Sequence, residues 1–411
     1  MSVLPLAVRS QVRPVAPIFA NGILWALAAS HLLNDILQAL IPALYPLFKQ
    51  SFELTFAQIG MITFTFQIVG SVLQPLVGLY TDRHPRPYAL AVGMAISLCG
   101  LVFLALASGY AVVLLAAGMI GLGSAIFHPE ASRMARAASG GRHGFAQSLF
   151  QVGGNAGTSL GPLLAAWIIV PHGQVHVLWF TILALGGIFI LTRTGTWYAS
   201  TLVASRASGM DKVRGSSGNI SGRVFLALFV LLMLMFSKFV YLASMSSYYT
   251  FYLIHQFGVS IQESQHYLFL FLIAGTVGTF LGGVLGDRVG KKAVLWFSIL
   301  GVAPFALVLP YANLFWTACL SGVIGLIMAS AFPAILVYAT ELLPNRVGLI
   351  AGLCFGLAFG IAGIGSAVLG RVADATSIGF VMKLCSLLPL IGLLTALLPD
   401  THRPVGKPGE K

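Results

Sequence analysis

Twelve times along this 411-residue chain an apolar run recurs that is long enough to cross a bilayer as a helix. Hydrocarbon offers no partner to a backbone N–H or C=O, so a spanning segment must satisfy its own. Runs of this length therefore predict helices. The first six are expected at 18–48, 55–81, 87–107, 111–135, 143–170 and 176–198. The second six are expected at 223–255, 262–287, 292–310, 313–340, 346–373 and 377–398. Only 8% of the residues are charged, against roughly 25% in soluble domains. So few charges cannot cover a water-facing surface. The reading is an all-α integral membrane protein with twelve transmembrane helices.

The basic residues orient it. Of the 23 Lys and Arg, all but four fall in connections on one side. Lys49 and Arg371 lie on the other side, and Lys238 and Lys383 fall within spans. The positive-inside rule puts both termini in the cytoplasm. The net charge of +12 is then an orientation signal, with no nucleic-acid partner required. Residues 1–17 read as a cytoplasmic segment, 18–198 as a six-helix half and 199–222 as a Ser/Gly-rich cytoplasmic linker. Residues 223–398 read as a second six-helix half and 399–411 as a cytoplasmic tail. Cys99, Cys319, Cys354 and Cys385 all lie in apolar runs without CxxC spacing, as small buried hydrophobes do.

The halves repeat at an offset of about 204 residues. Gly121 to Pro129, GLGSAIFHP, faces Gly325 to Pro333, GLIMASAFP. Arg142-x-Gly144 faces Arg346-x-Gly348, and GLYTDR (Gly78 to Arg83) faces GVLGDR (Gly283 to Arg288). Two pseudo-symmetric six-helix halves about a central linker are the plan of major facilitator transporters.

Three motifs carry mechanism. Gly283, Asp287, Arg288, Gly290, Lys291 and Lys292 resemble the major facilitator loop motif G-x-x-x-D-R-x-G-[RK]-[RK] at every position. Its first-half copy keeps Gly78, Asp82 and Arg83, but Pro85 replaces the second glycine. The resemblance implies a cytoplasmic gate at Asp82, Arg83, Arg133, Asp287, Arg288, Lys291 and Lys292; a plain basic anchor is the simpler alternative. In span 5, Gly157, Gly161 and Pro162 resemble the antiporter motif G-x-x-x-G-P-x-x-G-G, with Ala165 and Ala166 in place of its last glycines. That favours export, although close helix packing alone also selects small residues. The arginine that drug exporters carry within span 4 is missing around Ala117 to Met119.

Polar residues share helix faces. His31, Asn34, Asp35 and Gln38 do so in span 1, Thr63, Gln67, Ser71 and Gln74 in span 2, and Gln147, Gln151 and Asn155 in span 5. Lipid would penalise each exposed group, so these faces predict a shared cavity. Span 7 offers Lys238, Tyr241, Met245, Tyr248 and Tyr252 along one face. Substrate candidates are thus Asn34, Gln38, Gln67, Gln74, Gln151, Asn155, Lys238, Tyr241 and Tyr248; for the tyrosines, helix packing is the competing reading. A charge at mid-bilayer costs about 2.5–3.5 kcal/mol on insertion scales, so a partner or a proton must offset it. Asp35 either exchanges a proton, with His31 one turn away, or pairs with Lys238 at similar depth. Glu130 with His128 is a second proton site, or Glu130 pairs with Arg133 at i+3.

Together SHLLNDILQ (Ser30 to Gln38), LTFAQIGMITFTFQ, FHPEASRMARAASGGRHGFAQSLFQVGGN, FSKFVYLASMSSYYTFYL and ILVYATELLP resemble the fosmidomycin resistance family of the major facilitator superfamily. The resemblance runs from about Ser30 to Asp400. It implies a monomer in the bacterial inner membrane that exports a small drug such as the phosphonate fosmidomycin. Proton entry would drive it, with no cofactor or metal. A proton-coupled importer or exchanger of a small organic anion is the alternative on the same fold. No metal triad, G-x-S-x-G or Walker loop marks an enzyme.

Overall fold

A computed structural model describes residues 20–140, 142–207, 222–289, 291–330, 335 and 347–397. Among them helices stand at all twelve expected places. Span 1 is Asn21–Ala43, continued beyond Leu44 by a short helix Tyr45–Ser51. Spans 2 to 4 are Phe56–Arg83, Ala89–Ala105 and Tyr110–Ala138. Span 5 is His143–Leu164, prolonged by a π turn Ala165–Ile169; span 6 is Thr181–Ala207. Span 7 is Gly222–Phe257 and span 8 Ile261–Val289. Span 9 comprises Lys291–Leu300 and Ala303–Val308, and span 10 is Leu314–Ala329. Span 11 is Val347–Ala375; span 12 begins at Ile378–Ser386 and ends in a 3-10 stretch Leu388–Leu397.

Eight of these are long and apolar enough to cross a membrane, and spans 3, 10 and 12 are shorter apolar helices. Span 5 falls short in apolarity because Gln147, Gln151 and Asn155 interrupt it. The outer wall is apolar: Trp25, Ile182, Phe189, Tyr311 and Phe315 are all more than half exposed, as a lipid-facing surface requires. Cys99 and Cys319 join that wall, while Cys354 and Cys385 are buried; burial was expected of all four. Span 6 continues as helix to Ala207, through residues assigned to the linker, and 208–221 lie outside the described residues.

Packing repeats with the sequence. Span 1 packs on span 5 and span 7 on span 11; span 2 packs on span 4 and span 8 on span 10. The halves meet where span 2 lies along span 11 and span 5 along span 8. The repeat reaches single residues. A Cβ on Gly121 would run into the Phe66 carbonyl, and one on Gly325 into the Phe271 carbonyl. These two glycines let spans 4 and 10 touch the backbones of spans 2 and 8.

The glycines of span 5 form a second close contact. Gly153, Gly157 and Gly161 face Ala28, Leu32 and Ala39 of span 1 with no room for a side chain. Pro162 lacks an N–H for the helical ladder, and the π turn follows three residues later. The antiporter-type motif is therefore, in its contacts, a seam between spans 1 and 5.

Candidate functional site

A cavity of about 340 Å³ lies between the halves, within the size range of ligand pockets. Spans 1, 2, 4 and 5 line it from the first half, and spans 7, 8, 10 and 11 from the second. Asp35 lies on its wall, side chain 14% exposed.

Two imidazoles flank that carboxylate. His31 Nε2 stands 3.3 Å from Asp35 Oδ2, and His128 Nε2 stands 4.0 Å from Asp35 Oδ1. Asn34 and Gln38 donate their amides to Asp35 Oδ1 at 3.0 and 3.2 Å. Thr158 of span 5 donates to Oδ2 at 3.5 Å. The other side of each imidazole is tied to backbone: His31 Nδ1 lies 2.7 Å from the Phe150 carbonyl, and His128 Nδ1 lies 3.0 Å from the Ser124 carbonyl. The His31 ring also stacks on the Phe150 ring, centroids 3.9 Å apart. The three facing N and O atoms lie within 4.8 Å of one another.

Lys238 lines the cavity from span 7, with Leu242 and Ser246 one and two turns on. Span 8 contributes Thr279, whose hydroxyl accepts the Asn155 amide at 2.9 Å across the halves. One end of the cavity is roofed by hydroxyls. Tyr45 and Thr63 oxygens stand 2.6 Å apart, Thr63 and Ser247 3.1 Å, and Ser247 and Ser366 3.2 Å. This chain links spans 1, 2, 7 and 11. Beyond it, Asp374 at the end of span 11 accepts the amides of Phe56 and Ala57 in the first turn of span 2. Lys49 covers the Phe56 ring at 4.2 Å. Burial holds its ammonium below the usual lysine range, and nearby Asp374 opposes that.

The expected residues separate into groups. His31, Asp35, Gln38, Gln67, His128, Gln151, Asn155 and Lys238 all line the cavity. Asn34, Gln74, Tyr241 and Tyr248 do not, although all four are buried. Asn34 stands behind Asp35 as its amide donor. Tyr248 donates to the Ser366 carbonyl at 2.6 Å and packs at the span 7–span 11 seam. The reason is angular: residues 242 and 246 step round the helix from Lys238 one way, and 241 and 248 the other. Lys238 marks the edge of both faces.

Two pairings also differ from expectation. The partners of Asp35 are the two histidines, the Asn34 and Gln38 amides and the Thr158 hydroxyl, and Lys238 is not among them. Glu130 pairs with Arg133 at 2.9 Å rather than joining His128. Two positions apart on a helix point about 200° apart, so His128 faces the cavity and Glu130 faces span 2. Arg133 donates to the Thr81 carbonyl and hydroxyl, a contact inside the first half. The side chains of Asp82, Arg83, Asp287, Arg288, Lys291 and Lys292 lie outside the described residues.

Sequence reasoning missed Phe150, Ser124, Thr158 and Asp374. Ser124 stands four residues before His128, a spacing that carried the signal. The others act across long sequence separations and left none.

Twelve spans in two repeated halves, around a cavity whose largely apolar wall carries a few polar and charged side chains, define a membrane transporter. The chain belongs to the Major Facilitator Superfamily, whose family model matches residues 27–353 and 224–411. Within it, the chain is 55% identical to the Fosmidomycin resistance protein of Escherichia coli (strain K12), over 97% of this chain and 99% of that one. It is 43% identical to an uncharacterized MFS-type transporter, YfnC, of Bacillus subtilis (strain 168), over 97% of each. A solved bacterial homolog of the human lysosomal transporter Spinster, inward-facing and occupied, shares the fold at TM-score 0.69 and 16% identity. That match covers 92% of this chain and 94% of the other.

Proposed function

We propose that the protein exports fosmidomycin or similar small drugs in exchange for protons, by alternating access. The observation that carries this reading is one cavity holding Asp35 between two imidazoles on the first half and Lys238 on the second. Lys238 suits the anionic end of a drug. Asp35 suits a hydrogen-bond donor on it. A proton taken up beside Asp35 withdraws that acceptor, so drug and proton compete. Competition at one shared site is what couples opposite fluxes.

The basic loops support a bacterial inner-membrane orientation with both termini in the cytoplasm, so that protons enter from outside. Each charge crossing 100 mV supplies about 2.3 kcal/mol, enough for roughly a 50-fold drug gradient. Asp82, Arg83, Asp287, Arg288, Lys291 and Lys292 serve as the cytoplasmic gate in this scheme, with Arg133 bracing spans 2 and 4 behind it. The working unit is a monomer driven by the proton gradient without a cofactor.

The test is proton movement in vesicles carrying the protein and an internal pH dye. Fosmidomycin should drive it in the parent protein and fail to do so in Asp35→Asn. No proton movement for any of a panel of drugs, or movement unchanged in Asp35→Asn, removes the reading. The lysine in the cavity also suits a proton-coupled importer of a small organic anion. Flux direction in oriented vesicles separates the two. The Gly157, Gly161 and Pro162 motif is the sequence feature on the side of export.

A further inference from the structure

The contacts of the two cavity histidines fix where their protons sit. The Ser124 hydroxyl also lies 3.2 Å from His128 Nδ1, but it donates its proton to Gln38 Oε1 at 3.2 Å. A backbone carbonyl only accepts, so His31 Nδ1 donates to the Phe150 carbonyl and His128 Nδ1 donates to the Ser124 carbonyl. Each neutral ring then presents a bare Nε2 lone pair. Both Nε2 atoms face oxygens of the same carboxylate, at 3.3 and 4.0 Å. Lone pairs facing lone pairs make no bond, and His31 Nε2 indeed has no hydrogen-bond partner while His31 is only 3% exposed. Buried polar atoms in that condition are rare and ask for an explanation.

A proton supplies one. Placed on His31 Nε2, it turns a 3.3 Å acceptor–acceptor contact into a charge-assisted hydrogen bond to Asp35; placed on His128 Nε2, 4.0 Å away, it makes an ion pair with the same carboxylate. A second proton is opposed, because the two rings stand 5.2 Å apart, edge to face, and two imidazoliums at that distance repel. We propose that His31, Asp35 and His128 form one unit that exchanges a single proton, entering only at Nε2, with the Phe150 and Ser124 carbonyls fixing the tautomers. This deepens the antiport reading and rests on it.

The surroundings keep the unit to itself. From span 7, Lys238 lines the same cavity. Glu130 faces Arg133 on the other side of span 4. Spans 2, 5, 8, 10 and 11 add no charged side chain to the wall among the described residues. Thr158, Asn34 and Gln38 reach Asp35 as neutral donors. Span 5 seats the unit: Phe150 holds His31 by its carbonyl and its ring, and a Cβ on Gly154 would fall on the His31 ring. Phe150 and Gly154 are positioning residues here. Shared with His128, the proton ties span 4 to span 1, and its loss frees Asp35 to face the cavity.

Nitrogen NMR on the full chain, labelled with 15N-histidine in detergent and without drug, tests this. The chain has nine histidines; signals of His31 and His128 are identified by their loss in His31→Gln and His128→Gln. At alkaline pH both should be Nδ1–H tautomers, a form read in the unsubstituted protein. Both should titrate with one shared midpoint, and Asp35→Asn should move that midpoint by about one pH unit or more in both rings together. An Nε2–H tautomer in either ring, or two independent midpoints, overturns the unit. A misfolded glutamine variant leaves the readout intact, because buried rings locked in one tautomer stand apart from water-exposed rings that average two. Absent drug-driven proton movement with these signals intact would overturn antiport; the converse result would overturn the shared proton alone.

Discussion

The Asp374 carboxylate caps a helix that belongs to the other half of the molecule: it accepts the Phe56 amide at 2.8 Å and the Ala57 amide at 2.7 Å. Thr55 Oγ1 takes the Gln58 amide, so the first turn of span 2 is satisfied jointly by its own cap and by span 11. Under the alternating access proposed above, rocking halves must break this contact when that end opens. Asp374→Ala should therefore favour the state open at that end. A lost cap is worth about 1 kcal/mol, roughly a fivefold shift in population. Spin-label distances between the ends of spans 2 and 11 measure it; an unchanged distribution would show the cap to be local.

Lys238 predicts a selectivity change. Lys238→Ala should weaken binding of anionic drugs about tenfold or more, and of neutral ones by much less. Competition binding in detergent at fixed pH reads the difference. Equal loss for both classes would make this lysine a structural residue.

Two neighbouring glycines should separate stability from function. A Cβ at Gly157 meets the Leu32 backbone, which cannot yield, whereas one at Gly154 meets the His31 ring, which can shift only by giving up its Phe150 contacts. Gly157→Ala should lower thermal stability, by about 1–3 kcal/mol for overpacking. Gly154→Ala should cost about 1 kcal/mol for the lost His31–Phe150 hydrogen bond and lose most proton-coupled transport, whereas Gly157→Ala should keep the proton coupling of whatever protein remains folded. Unfolding curves and vesicle fluxes, run side by side, check the contrast.

Tyr248 lies off the cavity wall, its hydroxyl spent on the Ser366 carbonyl. Tyr248→Phe should cost about 1 kcal/mol of stability and leave drug affinity within twofold. A large affinity loss would return this tyrosine to the binding wall.

Much was legible in the chain before its folding. Run length and the pairing demand of backbone in hydrocarbon determined twelve helices, and the repeat determined two halves. Helical spacing on spans 1, 2 and 5 put Asp35, Gln38, Gln67, Gln151 and Asn155 on one cavity, because residues on one face share one environment. Tertiary structure alone decided what each polar group meets. Spacing located Tyr241 and Tyr248 beside Lys238 but not which flank of span 7 the cavity touches, since that depends on how far the helix is rotated against spans 8 and 11. It placed His128 and Glu130 two residues apart, and packing sent them to opposite sides of span 4. The Phe150 carbonyl on His31 and Asp374 on Phe56 join residues 119 and 318 positions apart. Contacts at that range leave no local pattern, because only the meeting of whole helices creates them.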